Sequence, residues 1–86
     1  MPKAARKGDP GSHGGVILEG SPDKDWNSIP SARVGDLYGC PIHGPNPIVT
    51  GSDLVYINSR KAARVGDRTQ CGAIIVDGSP DTFING

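Results

Sequence analysis

Long apolar runs, aromatic side chains and net charge are all scarce in this chain, and each scarcity excludes something. Of 86 residues only 5% are aromatic and one is Met, while Leu is rare. An ordinary hydrophobic core of leucine-rich helices is therefore not available. Nine basic and nine acidic side chains cancel to a formal charge of zero. No basic field for nucleic acid or anionic lipid results, so neither is expected as a partner of the resting protein. The basic start, Met1 to Lys7, runs into Gly8-Asp9-Pro10-Gly11 with no apolar stretch of signal-peptide or membrane-spanning length. Export, if it occurs, is expected to depend on another machine.

What is abundant is backbone punctuation: 13 Gly and 8 Pro. Both residues disfavour helix interiors, so frequent turns and an all-β fold are expected. A chain this short forms one domain, residues 1–86, whose thin core calls for a staple. The two cysteines offer a disulfide or a pair of metal ligands, and without a secretory signal the metal reading is favoured.

The chain is a threefold repeat. Ala4-Ala5-Arg6-Lys7-Gly8-Asp9, Ser31-Ala32-Arg33-Val34-Gly35-Asp36 and Ala62-Ala63-Arg64-Val65-Gly66-Asp67 share small, Ala, Arg, any, Gly, Asp. Four residues after each Asp stand His13, Cys40 and Cys71, all competent metal ligands. An apolar run follows (Val16-Ile17-Leu18, Ile48-Val49, Ile74-Ile75-Val76), then Gly20-Ser21, Gly51-Ser52 and Gly78-Ser79, then Asn27, Asn58 and Asn85. The middle copy has four extra residues before Ile48, and they include His43. The repeats run over about 3–29, 30–60 and 61–86. Each reads as an extended Ala-Arg segment, a Gly-Asp turn, a β-branched strand, a Gly-Ser turn and a second strand. The second strands fall at Leu54 to Asn58, at Thr82 to Asn85 and around Trp26.

A unit of this length cannot bury an apolar face alone, so three must pack together. Stacking displaces equivalent positions, whereas a pseudo-threefold axis lets equivalent ligands converge. The axial arrangement is therefore expected, with His13, Cys40, His43 and Cys71 forming a closed Cys2His2 site for one structural Zn2+. Four protein ligands leave no open position for catalysis. A Cys40–Cys71 disulfide, unrelated surface histidines with core thiols, and another thiophilic ion are the alternatives. Each arginine of the motif is expected to brace a turn by pairing with the Asp three residues on.

With these residues in place, the chain resembles the PAAR (proline-alanine-alanine-arginine) repeat family over Lys3 to Gly86. Its tetrapeptides read Lys3-Ala4-Ala5-Arg6, Pro30-Ser31-Ala32-Arg33 and Lys61-Ala62-Ala63-Arg64. The resemblance implies a small cone of three β-hairpin repeats with a metal at its apex. It implies a structural protein, not an enzyme, that sharpens the spike of a type VI secretion system or related phage-tail machine. The base of the cone would dock on a VgrG-type trimeric β-helical spike protein, with effectors as further partners and transient contact with the target membrane. Such a tip is assembled in the bacterial cytoplasm and delivered outside, or belongs to a phage virion. Many relatives fuse a toxin to the module; here the third repeat runs to Gly86, and no effector extension is expected. The rival reading is a zinc-stabilised adaptor module outside any spike. Leu54, Tyr56, Phe83 and Trp26 are candidates for either the core or the docking base.

Overall fold

A computed structural model describes residues 2–84. It is all β and turn, as the Gly and Pro content requires: β1 (Val16–Ile17), β2 (Asp25–Trp26), β3 (Ile29–Pro30), β4 (Leu37–Cys40), β5 (Gly44–Pro47), β6 (Tyr56–Ile57) and β7 (Arg60–Lys61). β1, β4 and β5 make a three-stranded sheet, while β2–β3 and β6–β7 are separate hairpins. Every pairing among these strands is antiparallel.

The repeats close on themselves. Ala32 N donates to Ala5 O, Ala63 N to Ala32 O, and Ala5 N to Ala63 O, each at 3.0 Å. The next position out repeats the pattern: Lys7 N to Pro30 O, Val34 N to Lys61 O and Val65 N to Lys3 O, at 2.8, 2.9 and 2.9 Å. Each copy thus donates to the preceding one at the alanines and to the following one at the next position, and the third copy meets the first, which a rotation axis produces and a stack does not. The molecule's extents of 29 × 23 × 23 Å, one long and two equal, suit such an axis.

Alanine is required at this ring because Ala5, Ala32 and Ala63 are wholly buried where three backbones meet. Successive residues of an extended chain point to opposite sides. Ala5 and Ala63 accordingly join a core with Ile17, Ile48, Ile75, Tyr38 and Cys40. Ala4 and Ala62 join a second one with Ile57 and Ile84, against which Trp26 packs. Ile17, Ile48 and Ile75, each 1% exposed, are repeat equivalents, and burying each contributes about 2 kcal/mol. Their neighbours Val16, Leu18, Val49, Ile74 and Val76 face outward.

The hairpins straddle the repeat junctions: β2 pairs with the start of the second copy and β6 with the start of the third. The corresponding partners at the ring's closure are Phe83 and Lys3, with Ile84 N donating to Pro2 O at 2.9 Å. Of the expected second strands, only Tyr56–Ile57 and Asp25–Trp26 have strand geometry; Phe83 forms an isolated bridge, and Asn85 lies outside the described residues. Leu54, Tyr56 and Phe83 are exposed, and of that group Trp26, partly buried, packs against a core cluster. The four extra residues are not a loop bulge but half of a hairpin, in which β5 pairs with β4 as an edge strand. Pro45 and Pro47 are compatible with an edge, where a missing N–H costs nothing.

The three arginines brace turns as expected. Arg33 Nε and Nη2 donate to Asp36 at 3.0 and 2.8 Å, and the Arg33 amide donates to the same carboxylate at 2.8 Å. Arg6–Asp9 and Arg64–Asp67 repeat the geometry. Closure adds a polar latch: Ser21 Oγ donates to Asn58 Oδ1 at 2.6 Å while Asn58 Nδ2 donates to Asp23 at 2.9 Å. Ser79, Asn27 and Asp81 form the same latch elsewhere on the ring.

Candidate metal centre

His13, Cys40 and Cys71 come from equivalent positions of the three repeats, and the ring brings those positions together. His13 sits in a turn closed by Gly14 N donating to Gly11 O at 3.1 Å, with Gly14 at φ 89°. Ser12 ties this turn to the third repeat: its Oγ accepts from Ile74 N at 2.9 Å and its N donates to Ile74 O at 2.8 Å. Cys71 occupies the matching turn, closed by Gly72 N to Thr69 O at 3.0 Å with Gly72 at φ 88°. Cys40 ends β4, and His43 follows in the turn to β5, where Gly44 takes φ 77°. The left-handed conformation at these glycines is open to few other residues.

All four sequence-identified ligand atoms lie within 4.8 Å of one another. Cys40 Sγ is 3.5 Å from His13 Nδ1 and 3.5 Å from His43 Nδ1, and Cys71 Sγ is 3.6 Å from His13 Nδ1. A tetrahedral ion with bonds of about 2.3 Å to sulfur and about 2.0 Å to nitrogen sets its S···N edges near 3.5 Å. Three S···N edges of the cluster therefore have the length a tetrahedral site requires, and the cluster could hold a metal ion. Both cysteines are free thiols. Cys40 is buried, His13 and Cys71 are half-buried, and His43 is exposed. The His13 and His43 rings lie 5.5 Å apart at a tilt of 48°, each turning a nitrogen toward Cys40.

Charge at the site suits a cation. Burial pushes the Cys71 thiol up, but hydrogen bonding from Thr69 Oγ1 and the Ala73 amide, with contacts from Cys40 and His13, outweighs it and brings the thiol to about 6. Thiolate, the form that binds metal, is thereby favoured near neutrality.

Two residues that sequence reasoning missed support the site. Asn46 is buried; its Oδ1 accepts from the Cys71 amide at 3.0 Å and its Nδ2 donates to Gly44 O at 2.8 Å, joining the extra hairpin to the third repeat. Lying in the unrepeated segment, it has no equivalent to mark it. Tyr38, wholly buried, shares the core cluster with Cys40, and its hydroxyl accepts from Gly15 N at 3.0 Å. Its repeat equivalents are Gly11 and Thr69, so one large ring fits because its counterparts are small. A Cβ at Gly11 would stand 2.5 Å from that ring.

Comparison with known proteins agrees with this architecture. The family model of the PAAR motif matches residues 7–77. Double-stranded DNA deaminase toxin A of Burkholderia cenocepacia (strain H111) is 49% identical over 78 residues, 87% of this chain but 5% of that protein. The NAD(P)(+) glycohydrolase toxin Tse6 of Pseudomonas aeruginosa is 39% identical over 82 residues, covering 84% of this chain and 19% of the toxin. The (p)ppApp synthetase toxin Tas1 of the same species matches to the same extent. The chain thus spans a small part of the curated relatives it matches.

Proposed function

Because this chain belongs to the PAAR motif family, we propose that it is a structural spike tip whose point is fastened by one zinc ion. The reading rests on one observation: four ligand side chains from three repeats converge on one side of a closed alanine ring. His13, Cys40, His43 and Cys71 would hold the ion, and thiolate with imidazole is the donor set zinc favours. Bound there, the metal supplies a cross-link among all three repeats. Structural zinc is worth on the order of 10 kcal/mol, comparable with the whole stability of a domain this size.

The opposite side of the ring, where the core of Ile57 and Ile84 underlies exposed Leu54, Tyr56 and Phe83, is the base that docks on a VgrG-type trimeric β-helix, one copy per trimer. A single chain with its own threefold ring matches such a partner without repeating itself. The tip is assembled in the bacterial cytoplasm, leaves on the spike and touches the target membrane in passing, with effectors attached directly or through the spike. It has no catalytic role of its own. Three relatives named for three different reactions share this module, and one small fold cannot carry all three chemistries.

Purified protein is expected to contain one equivalent of zinc. Chelation, or Cys71→Ser, is expected to lower its melting temperature by tens of degrees, and the zinc-loaded form to bind a VgrG-type trimer at one copy per trimer. A metal-free protein of unchanged stability would remove the zinc assignment. Failure to bind any such trimer while loaded with zinc would favour the adaptor reading.

A further inference from the structure

We infer that Cys40 and Cys71 form a reversible exchange site, at which an oxidant replaces the metal cross-link by a disulfide between the second and third repeats. This inference rests on the metal reading above. Among the three equivalent ligand positions two are thiols and the third is His13, so the sulfurs form a single pair. Both are free, and they lie within 4.8 Å of each other at one site. Sulfurs so placed are at most roughly 3 Å beyond the S–S bond length of about 2.0 Å. Access is provided by exposed His43 and half-buried Cys71, whereas Cys40 is buried and suited to the second, intramolecular step.

With a peroxide as oxidant the step balances. One thiolate attacks a peroxide oxygen, breaking the O–O bond and giving a sulfenic acid and one water. The second thiolate then attacks that sulfur, forming the S–S bond and expelling the sulfenic oxygen as a second water. Two electrons pass from the two sulfurs to the peroxide, two protons come from solvent, and the divalent ion is released. A disulfide in a partner molecule achieves the same by exchange, leaving that partner as two thiols. The new bond closes a loop of roughly thirty residues, which restrains the unfolded chain substantially. The point of the molecule would stay fastened when it moves from a reducing to an oxidising compartment.

The test titrates zinc-loaded protein with hydrogen peroxide under nitrogen, following zinc release with a chromogenic chelator, free thiols and intact mass. Expected are zinc and thiols lost in a one-to-two ratio, a monomer about 2 Da lighter, and recovery of both on adding dithiothreitol and zinc. The oxidised form should melt well above chelated, reduced protein. His43→Ala, which keeps both thiols but removes the exposed ligand, should oxidise several-fold faster. Mass gains from sulfinic acid, intermolecular dimers, or zinc retained while thiols vanish would each overturn the exchange. Protein that is metal-free as purified yet forms the Cys40–Cys71 bond would end the zinc reading and leave the pairing standing.

Discussion

Residue by residue, the most exacting positions carry charge inside the fold. Asp36 is 1% exposed and Arg33 10%, and each is satisfied by the other and by backbone. Asp36 raises the Arg33 pKa further, against the effect of burial. Removing Arg33 leaves a buried carboxylate whose remaining cation is half-exposed Arg60 at 3.4 Å. Arg33→Ala is therefore expected to cost about 3 kcal/mol in denaturant unfolding of the zinc-loaded protein. The more exposed Arg6→Ala should cost less. The latch carboxylates give a pH signature. Hydrogen bonds from Asn58 and Ser21 hold Asp23 below the ordinary carboxyl value, and those from Asn27 and Ser79 do the same for Asp81. A lowered folded-state pKa means stability present above the unfolded value near 3.8 and lost as pH falls through the folded one. Melting temperature should thus decline below about pH 4, and Asp81→Asn should flatten that decline; an unchanged acid limb would exclude the latch as its source.

Among elements, the hairpins are held by turns that non-glycine residues occupy at a conformational cost. Asn27 and Ser28 take φ 56° and 63°, and Asn58 and Ser59 take 53° and 64°, the two-residue turn that matches strand twist. Asn tolerates that geometry and contributes to the latch, but Ser at the second position does not benefit from it. Ser28→Gly and Ser59→Gly should each stabilise by about 0.5–1 kcal/mol, read as a rise in denaturant midpoint. No change, or a loss, would show that the serine side chains have a role of their own. These elements also show what the sequence made legible. His13 and Cys71 could be found because register ties them to Cys40, and the Arg–Asp braces because they recur at fixed spacing. Repetition reveals whatever the axis repeats. The β4–β5 hairpin, Asn46 and Tyr38 break the symmetry and so left no periodic trace. Pairing across repeat junctions was equally hidden, since the same spacing fits a hairpin within a unit or between two.

At the scale of the molecule, closure places the described ends of the chain side by side, where the other two corners have the turns at Asn27-Ser28 and Asn58-Ser59. The three corners should be interchangeable as places to open the ring. A circular permutant that begins at Ser28, ends at Asn27 and joins the original ends by a short glycine linker should fold, retain one zinc and lose little stability. An unfolded or metal-free permutant would mean that one corner has a function the ring geometry does not require.

Ring closure also orders events during synthesis. The contacts from Ala5 to Ala63, Lys3 to Val65 and Pro2 to Ile84 join opposite ends of the sequence, and none can form until the third repeat has been made. The first segment can pair with the second repeat but must wait for its remaining backbone partners, so the chain behaves as a high-contact-order folder despite its short length. Its Gly8, Pro10 and Gly11 keep that waiting segment from extending into an aggregation-prone strand.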